Sequence, residues 1–333
     1  MRRLHTSTEL TGKEIELLTR VAWLYYVEGL TQNKVARELG IHRLRVNRAL
    51  ARCRRDGIVR ISIHSPYLGI LELEEQLIKR FGLSQAMVIP SPVDVETTQD
   101  IVGAALGTFL NERLQPNLSL GVFSGRTLFG ALNTLEPRSL PGLEVVSLAG
   151  GLTRHAAMLP YESAHRLAQL YDATCYYLPT PSHADSKRSR DEILSQALVR
   201  EVLGRAAKVD IAIVGVGRLT PEGVISAFNL LNEKEIASLE KVGTVGAFIS
   251  WFIDKEGGLA KHVLNERVVA LPLDHLKKIP EVVLCGGGRS KARALKAVLV
   301  GGYAKVLITD ETAAREILDE DRPLPKASTL EGE

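Results

Sequence analysis

The chain has 333 residues, 45% of them hydrophobic and 24% charged, which is too long for one minimal domain and suits two packed ones. No apolar run approaches the roughly 18–20 residues of a membrane span, and the opening MRRLHTSTELTGKE lacks the apolar block of a signal peptide. The net charge of +3 hides an asymmetry: residues 1–64 carry +7 and the remainder −4, so a small basic head precedes a mildly acidic body. Cys53, Cys175 and Cys285 lie far apart with no metal-type spacing, as expected of reduced thiols in a cytoplasmic protein that holds no metal.

From Lys13 to Glu28 the residues Ile15, Leu18, Val21, Ala22, Leu24, Tyr25 and Tyr26 recur at helical spacing, and Gly29 ends that helix. Thr31 suits the cap of a second helix whose inward face is Val35, Ala36 and Leu39. Gly40 suits the left-handed residue of a tight inter-helix turn, Ile41 is an apolar plug, and a third helix runs from about His42 to Asp56. With Val46, Leu50 and Cys53 as its buried stripe, Arg43, Leu44, Arg45, Asn47 and Arg48 face outward near its N-terminus. That is the end of a recognition helix that reaches base edges in the major groove. Arginine suits guanine and asparagine suits adenine, while Thr31, Gln32, Lys34, Arg52, Arg54 and Arg55 are phosphate candidates. GIVRISIHSP then reads as a turn and short strand, a candidate wing, completing a helix-turn-helix DNA-binding domain over residues 1–65. A solvated basic helix on an ordinary three-helix core is the plainer alternative.

Residues 66–320 form the expected second domain. PYLGILELEEQLIKRFGL opens it as a linker and helix, packed on its own domain or against a second copy. Beyond residue 86, the runs AMVIP, LSLGVF, LEVVSLA, TCYYLP, VDIAIVGVG, RVVALPL, EVVLCGG and AKVLITD alternate with helical segments. Near-continuous apolar strands separated by helices predict an α/β fold with a mostly parallel sheet covered on both faces. Ligands of such folds bind beyond the carboxyl ends of the strands. Residues 321–333 read as a polar, disordered tail.

Several strand ends carry binding chemistry. In LGVFSGRTLFGAL, Ser124, Gly125, Arg126 and Thr127 lie between a strand and a helix, where glycine admits a close ligand, hydroxyls donate, and the helix N-terminus favours an anion. The segment is neither a Walker loop, lacking GK[ST], nor a dinucleotide fingerprint. A plain strand-to-helix turn is the alternative. Gly150 and Gly151, Gly215 and Gly217, and Gly286 to Gly288 end other strands. The last group precedes RSKARALKAV, which places Lys291 in the first turn of a helix, an end that disfavours a cation; a bound anion would rationalise it, and a solvated lysine is the plainer alternative.

The head segment VAWLYYVEGLTQNKVARELGIHRLRVNRAL, the loop GVFSGRTL, the runs DIAIVGVG and GTVGAFISWFIDKEG, and the closing IPEVVLCGGGRSKARALKAVLVGGYAKVLITDETAAREIL occur in this order. Together they resemble the SorC family of sugar-binding bacterial transcriptional regulators, sometimes grouped with DeoR-like proteins. The resemblance implies an N-terminal DNA-binding domain and a Rossmann-like effector domain of the phosphosugar-isomerase type. It implies a homodimer or homotetramer that binds double-stranded operator DNA, controls a carbohydrate catabolic operon, and responds to a sugar, polyol or sugar phosphate. It gives Ser124, Gly125, Arg126 and Thr127 to the phosphate-contacting loop and Lys291 to the ligand, with Gly150, Gly151, Glu162 and His165 as further effector candidates. Two positions depart from the family pattern. Ala247 stands where members usually carry a hydroxyl-binding carboxylate, and Arg289 and Ser290 precede Lys291.

A sugar-phosphate isomerase or deaminase is the enzymatic alternative. Such enzymes need an acid/base set around the sugar, and GVGRLTPEGVISAFN keeps Phe228 and Asn229 without the deaminases' histidine. No catalytic residue and no cofactor are therefore expected.

Overall fold

The computed structural model describes residues 12–59, 68–123, 125–151, 160–219 and 231–319. The chain divides into two compact units, Met1–Leu68 and Gly69–Glu333.

In the first unit, α1 (Gly12–Ala22) continues through a wider π turn, Trp23–Val27, and is followed by α2 (Gln32–Glu38) and α3 (Arg43–Arg55). Thr31 caps α2, its hydroxyl accepting from the Lys34 N–H at 3.4 Å, an arrangement of the kind that contributes about 1 kcal/mol. Gly40 adopts φ +62°, and the Ile41 N–H returns to the Ala36 carbonyl at 2.9 Å, so the chain turns within four residues from α2 into α3. Leu18, Val21, Val35, Ala36, Val46, Ala49, Leu50 and Cys53 form one buried cluster, with Leu39 and Ile41 packed at its edge. The Cys53 thiol donates to the Leu18 carbonyl at 3.3 Å, and burial raises its pKa. Most of the candidate wing, from residue 60 on, lies outside the described residues.

The second unit opens with α4 (Leu68–Phe81), whose Leu73 and Leu77 are buried in this unit's core while Leu71 is exposed. Its main sheet has seven parallel strands in the order β1-β10-β9-β5-β2-β3-β4. They are β1 (Gln85–Ile89), β2 (Ser119–Val122), β3 (Glu144–Ser147), β4 (Thr174–Tyr176), β5 (Ile211–Val214), β9 (Glu281–Cys285) and β10 (Val306–Asp310). A smaller antiparallel sheet joins β6 (Val216–Gly217), β7 (Thr244–Phe248) and β8 (Trp251–Asp254).

Strand alternation divides the hydrophobic residues between two cores. Leu120, Val122, Ile211, Ile213, Val283 and Cys285 face one side, with residues of α5 (Thr98–Arg113), α6 (Arg126–Leu132) and α7 (Pro160–Tyr171). Ala212, Val214, Val282 and Leu284 face the other, with residues of α9 (Ala197–Ala206), α12 (Arg289–Val300) and α13 (Glu311–Leu318). Both faces are thus covered, which is why the strands read as unbroken apolar runs. The described residues also form α8 (Lys187–Ser195), α10 (Glu233–Lys241) and the single-turn α11 (Leu273–Leu276).

One expected strand is corrected. RVVALPL joins neither sheet. Its backbone serves the loops instead: Gly150 N–H donates to Val269, Val269 N–H to Ser182, and Leu271 N–H to Leu148. Conversely, β7 and β8 form a hairpin that the sequence reading did not single out, with Ile249 (φ 47°) and Ser250 (φ 66°) in its two-residue turn. Left-handed non-glycine residues store strain of about 1 kcal/mol or more each, and Ser250 spends it at a cavity wall.

From β2 the chain steps outward to β3 and β4. From β5 it builds on the opposite side of β2. The gap beyond the carboxyl ends of β2 and β5 is therefore a topological switch point.

Candidate functional site

A cavity of about 170 Å³ opens at that switch point. Its walls come from the ends of three strands: Phe123 and Gly125–Leu128 after β2, Gly215–Arg218 after β5, and Gly287, Gly288, Ser290 and Lys291 after β9. The β7–β8 hairpin adds Ala247 and Ser250, the entry to α5 adds Val95, Glu96, Thr98 and Gln99, and His183 completes the wall.

Close backbone approach shapes this wall. A Cβ at Gly287 would lie 2.7 Å from Asp310 Oδ1 and 2.9 Å from Thr98 Cγ2. The buried Asp310 carboxylate accepts the Gly288 N–H at 2.7 Å and the Ser91 hydroxyl at 2.6 Å, so the glycine loop is clamped from beneath. Gly103 of α5 faces the start of α6, where a Cβ would lie 2.6 Å from the Thr127 carbonyl and 2.9 Å from Ala131 N. The helix that carries Arg126 and Thr127 therefore rests on a glycine.

Three cations line the cavity. Lys291 is half-buried in the wall, and burial pulls its ammonium down to about 8, opposed by Cys285 and assisted by Arg218 and Arg126. Glu96 is the one carboxylate among the described lining residues. Its side chain is 85% exposed and 3.9 Å from Arg126. Positive charge is therefore in excess, and at neutral pH an anion is the natural complement. Lys291 Nζ donates to Gln99 Oε1 at 2.7 Å, and the buried Thr127 hydroxyl donates to the same oxygen at 2.8 Å.

Two further lining groups, His183 and Cys285, are uncharged. Burial lowers His183 to about 4, with the Ser250 backbone opposing and Arg267 adding, so the imidazole is neutral at physiological pH. Its Nδ1 lies 3.2 Å from Ser182 Oγ, while Nε2 meets no close hydrogen-bond partner among the described residues. Cys285 is held as a thiol, its pKa pushed up to about 12 by burial, and it donates to the Val214 carbonyl at 3.4 Å.

The structure thus brings together Gly125, Arg126, Thr127 and Lys291 of the expected effector residues. Ser124 and the side chain of Glu162 lie outside the described residues, as do Phe228, Asn229 and residues 321–333. His165 is not at the cavity. Helix α7 buries Ser163, Ala164, Leu167 and Tyr171, and this leaves His165 exposed. Gly150 is not there either: a Cβ would lie 2.5 Å from the Pro181 carbonyl, so this glycine serves a chain crossing. Gly151 borders a neighbouring depression with His183, Asp185 and Arg267. Arg289 pairs with the buried Glu316 at 2.9 Å and does not line the cavity. Gln99, Arg218 and His183 were missed. Gln99 and His183 sit in segments without a glycine-rich motif, whereas Arg218 directly follows the Gly215 and Gly217 strand end and could have been found from it.

In the first unit, Arg43, Leu44, Arg45, Asn47 and Arg48 are all exposed on α3, and Thr31 and Gln32 stand at the start of α2. Among the described residues Arg43, Arg45 and Arg48 form no ion pair. Arg52 is held by both Glu14 and Asp56, and Arg55 by Asp56. Arg52 thus ties α3 to α1 through Glu14 and to its own last turn through Asp56.

Comparison with known proteins gives a consistent picture. Residues 65–319 match the Sugar-bind family of sugar-binding domains. The chain is 32% identical over 311 residues to the transcriptional regulator LsrR of Klebsiella pneumoniae, covering 92% of this chain and 93% of that protein. It is 29% identical over 304 residues to the erythritol catabolism regulatory protein EryD of Brucella abortus, covering 91% and 96%. The crystal structure of the full-length sorbitol operon regulator SorC from Klebsiella pneumoniae superposes with a TM-score of 0.71 at 25% identity, over 92% of this chain and 100% of that one. These relatives are regulators, not enzymes, which leaves the isomerase and deaminase alternative without support. The chain belongs to the SorC-like family of sugar-binding transcriptional regulators.

Proposed function

We propose that residues 1–65 bind operator DNA as a helix-turn-helix domain, and that residues 66–320 are an effector domain of the phosphosugar-isomerase type whose ligand changes operator affinity. The effector is a sugar or polyol carrying a phosphate. The observation that carries this reading is the excess of Lys291, Arg126 and Arg218 over one exposed carboxylate in a cavity at the sheet's switch point. A phosphate there meets the Lys291 ammonium, the Thr127 hydroxyl and the N-terminal turn of α12. The sugar hydroxyls extend toward Ser250 and His183, which supply neutral polar groups where Ala247 offers no carboxylate.

On the DNA side, the exposed Arg43, Arg45 and Arg48 with Asn47 read base edges, and the exposed Leu44 between them suits a thymine methyl. Thr31 and Gln32 approach the phosphates. A homodimer or homotetramer presents two such helices to half-sites about 34 Å apart. Two relatives are named for erythritol catabolism and a sorbitol operon, and a carbohydrate catabolic operon in the cytoplasm is the corresponding target here.

A thermal-shift screen against sugar phosphates, polyol phosphates and their free counterparts tests the effector class. A ligand that binds only the folded state raises the melting temperature by mass action. Stabilisation confined to phosphorylated compounds is expected. Stabilisation by free sugars alone would discard the phosphate.

A further inference from the structure

Gln99 stands in the first turn of α5 and belongs to none of the glycine-rich strand ends. Its side chain nevertheless engages two of them. Oε1 accepts from Lys291 Nζ at 2.7 Å and from Thr127 Oγ1 at 2.8 Å, while Nε2 donates to the Gly287 carbonyl at 2.9 Å. Lys291 follows β9 and Thr127 follows β2, so one oxygen joins an ammonium and a hydroxyl that reach the cavity from two different strand ends. An ammonium and a hydroxyl converging on a single acceptor is the environment of a terminal phosphate oxygen.

We propose that Gln99 Oε1 is an internal substitute for an oxygen of the anionic effector, holding Lys291 and Thr127 until an effector binds and setting the threshold that an effector must exceed. The proposal rests on the anionic reading of the cavity given above. Its consequence is selectivity. Hydrogen bonds to an anionic acceptor are about twice as strong as those to a neutral one, so a phosphate displaces the amide oxygen. A sugar hydroxyl is neutral and gains nothing over the carbonyl it would replace. The pocket therefore rejects the unphosphorylated compound without a clash or a like charge. Gln99 acts here as a specificity-determining competitor, not as a ligand contact.

The two roles predict effects of opposite sign. If Gln99 held the ligand or merely oriented Lys291, its removal would weaken anion binding. As a competitor, its removal strengthens it. Titration calorimetry of the full-length protein with inorganic phosphate at fixed pH decides the matter, using wild type, Gln99→Leu and Gln99→Glu. Both variants lose the bond to the Gly287 carbonyl, so that loss cancels between them, and melting curves establish that each is folded. Gln99→Met serves if the branched leucine does not fit.

Gln99→Leu should bind phosphate about fivefold more tightly than wild type, the equivalent of one net hydrogen bond. Gln99→Glu, which fixes a carboxylate against Lys291, should bind at least about tenfold more weakly. Phosphate binding by Gln99→Leu that equals or falls below wild type would overturn the proposal while leaving the anion site intact. So would undiminished binding by Gln99→Glu. No binding by wild type or Gln99→Leu would remove the anion site itself, and the competitor with it.

Discussion

Burial in the cavity wall brings the Lys291 ammonium down to about 8, and the nearby Arg218 and Arg126 push in the same direction. The charge that attracts an anion is therefore present below pH 8 and lost as the pH rises through it. Between pH 8 and 9.5 inorganic phosphate keeps its own charge, so its affinity should fall by up to about tenfold per pH unit, with proton uptake on binding visible in buffers of different ionisation enthalpy. A flat profile would place the anion elsewhere. The sign for stability is the reverse. The unfolded chain holds this proton longer, so the ligand-free protein should gain stability relative to Lys291→Met as the pH climbs from about 8 toward 10.5. Lys291→Ala combined with Thr127→Ala should abolish the effector response and spare DNA binding, and an intact response would relocate the site. At the head, Arg43→Ala or Arg48→Ala should remove specific operator recognition, each costing on the order of 1–3 kcal/mol if it pairs with guanine, without altering effector binding. Unchanged operator binding in both variants would remove the recognition face from α3. Lys291 and Thr127 were legible because glycine and hydroxyl residues at a strand end advertise themselves. Gln99 was not, since TTQD before an apolar helix looks like any helix entry, and its partners lie 28 and 192 residues away in sequence.

Among elements, the α5–α6 crossing controls the site from outside it. Gly103 lets α6 lie against α5 with no room for a methyl group, its would-be Cβ meeting backbone atoms at 2.6 and 2.9 Å. Gly103→Ala should destabilise the protein by about 1–3 kcal/mol and weaken effector binding by displacing Thr127, measured together by melting and calorimetry. A normal melting temperature and normal affinity would show that the crossing yields at no cost. Strands were readable where a short apolar run ended in glycine or serine, as in β2, β5 and β9, and helices where the helical period dominated, as in the head. RVVALPL misled because its apolar composition matches a buried strand, whereas its backbone groups are taken by Gly150, Ser182 and Leu148. Composition reports burial, and only the fold reports which backbone partners are left. The β7–β8 turn was hidden for the opposite reason. Ile249 and Ser250 occupy left-handed geometry without the Asn-Gly or Asp-Gly pair that marks such a turn in sequence.

For the whole molecule, the charge asymmetry has a division of labour behind it. Among the described residues the basic head keeps Arg43, Arg45 and Arg48 out of ion pairs and holds its own helices with Arg52 through Glu14 and Asp56. The acidic body concentrates three of its cations around one cavity. The two-unit organisation was legible from charge and periodicity because each unit closes its own hydrophobic core. What the ligand must look like was less so, because the cavity is assembled from six separate segments of chain. The most direct test of a regulator that couples these units is to select a binding sequence from a random DNA pool with the full-length protein, then titrate the complex with phosphorylated and free sugars while following fluorescence anisotropy. A phosphorylated compound should shift the DNA affinity by about 5- to 150-fold, the usual range of coupling between sites, and Lys291→Ala should erase the shift. Specific DNA binding that no sugar phosphate alters, with the same compounds bound in the cavity, would contradict the account.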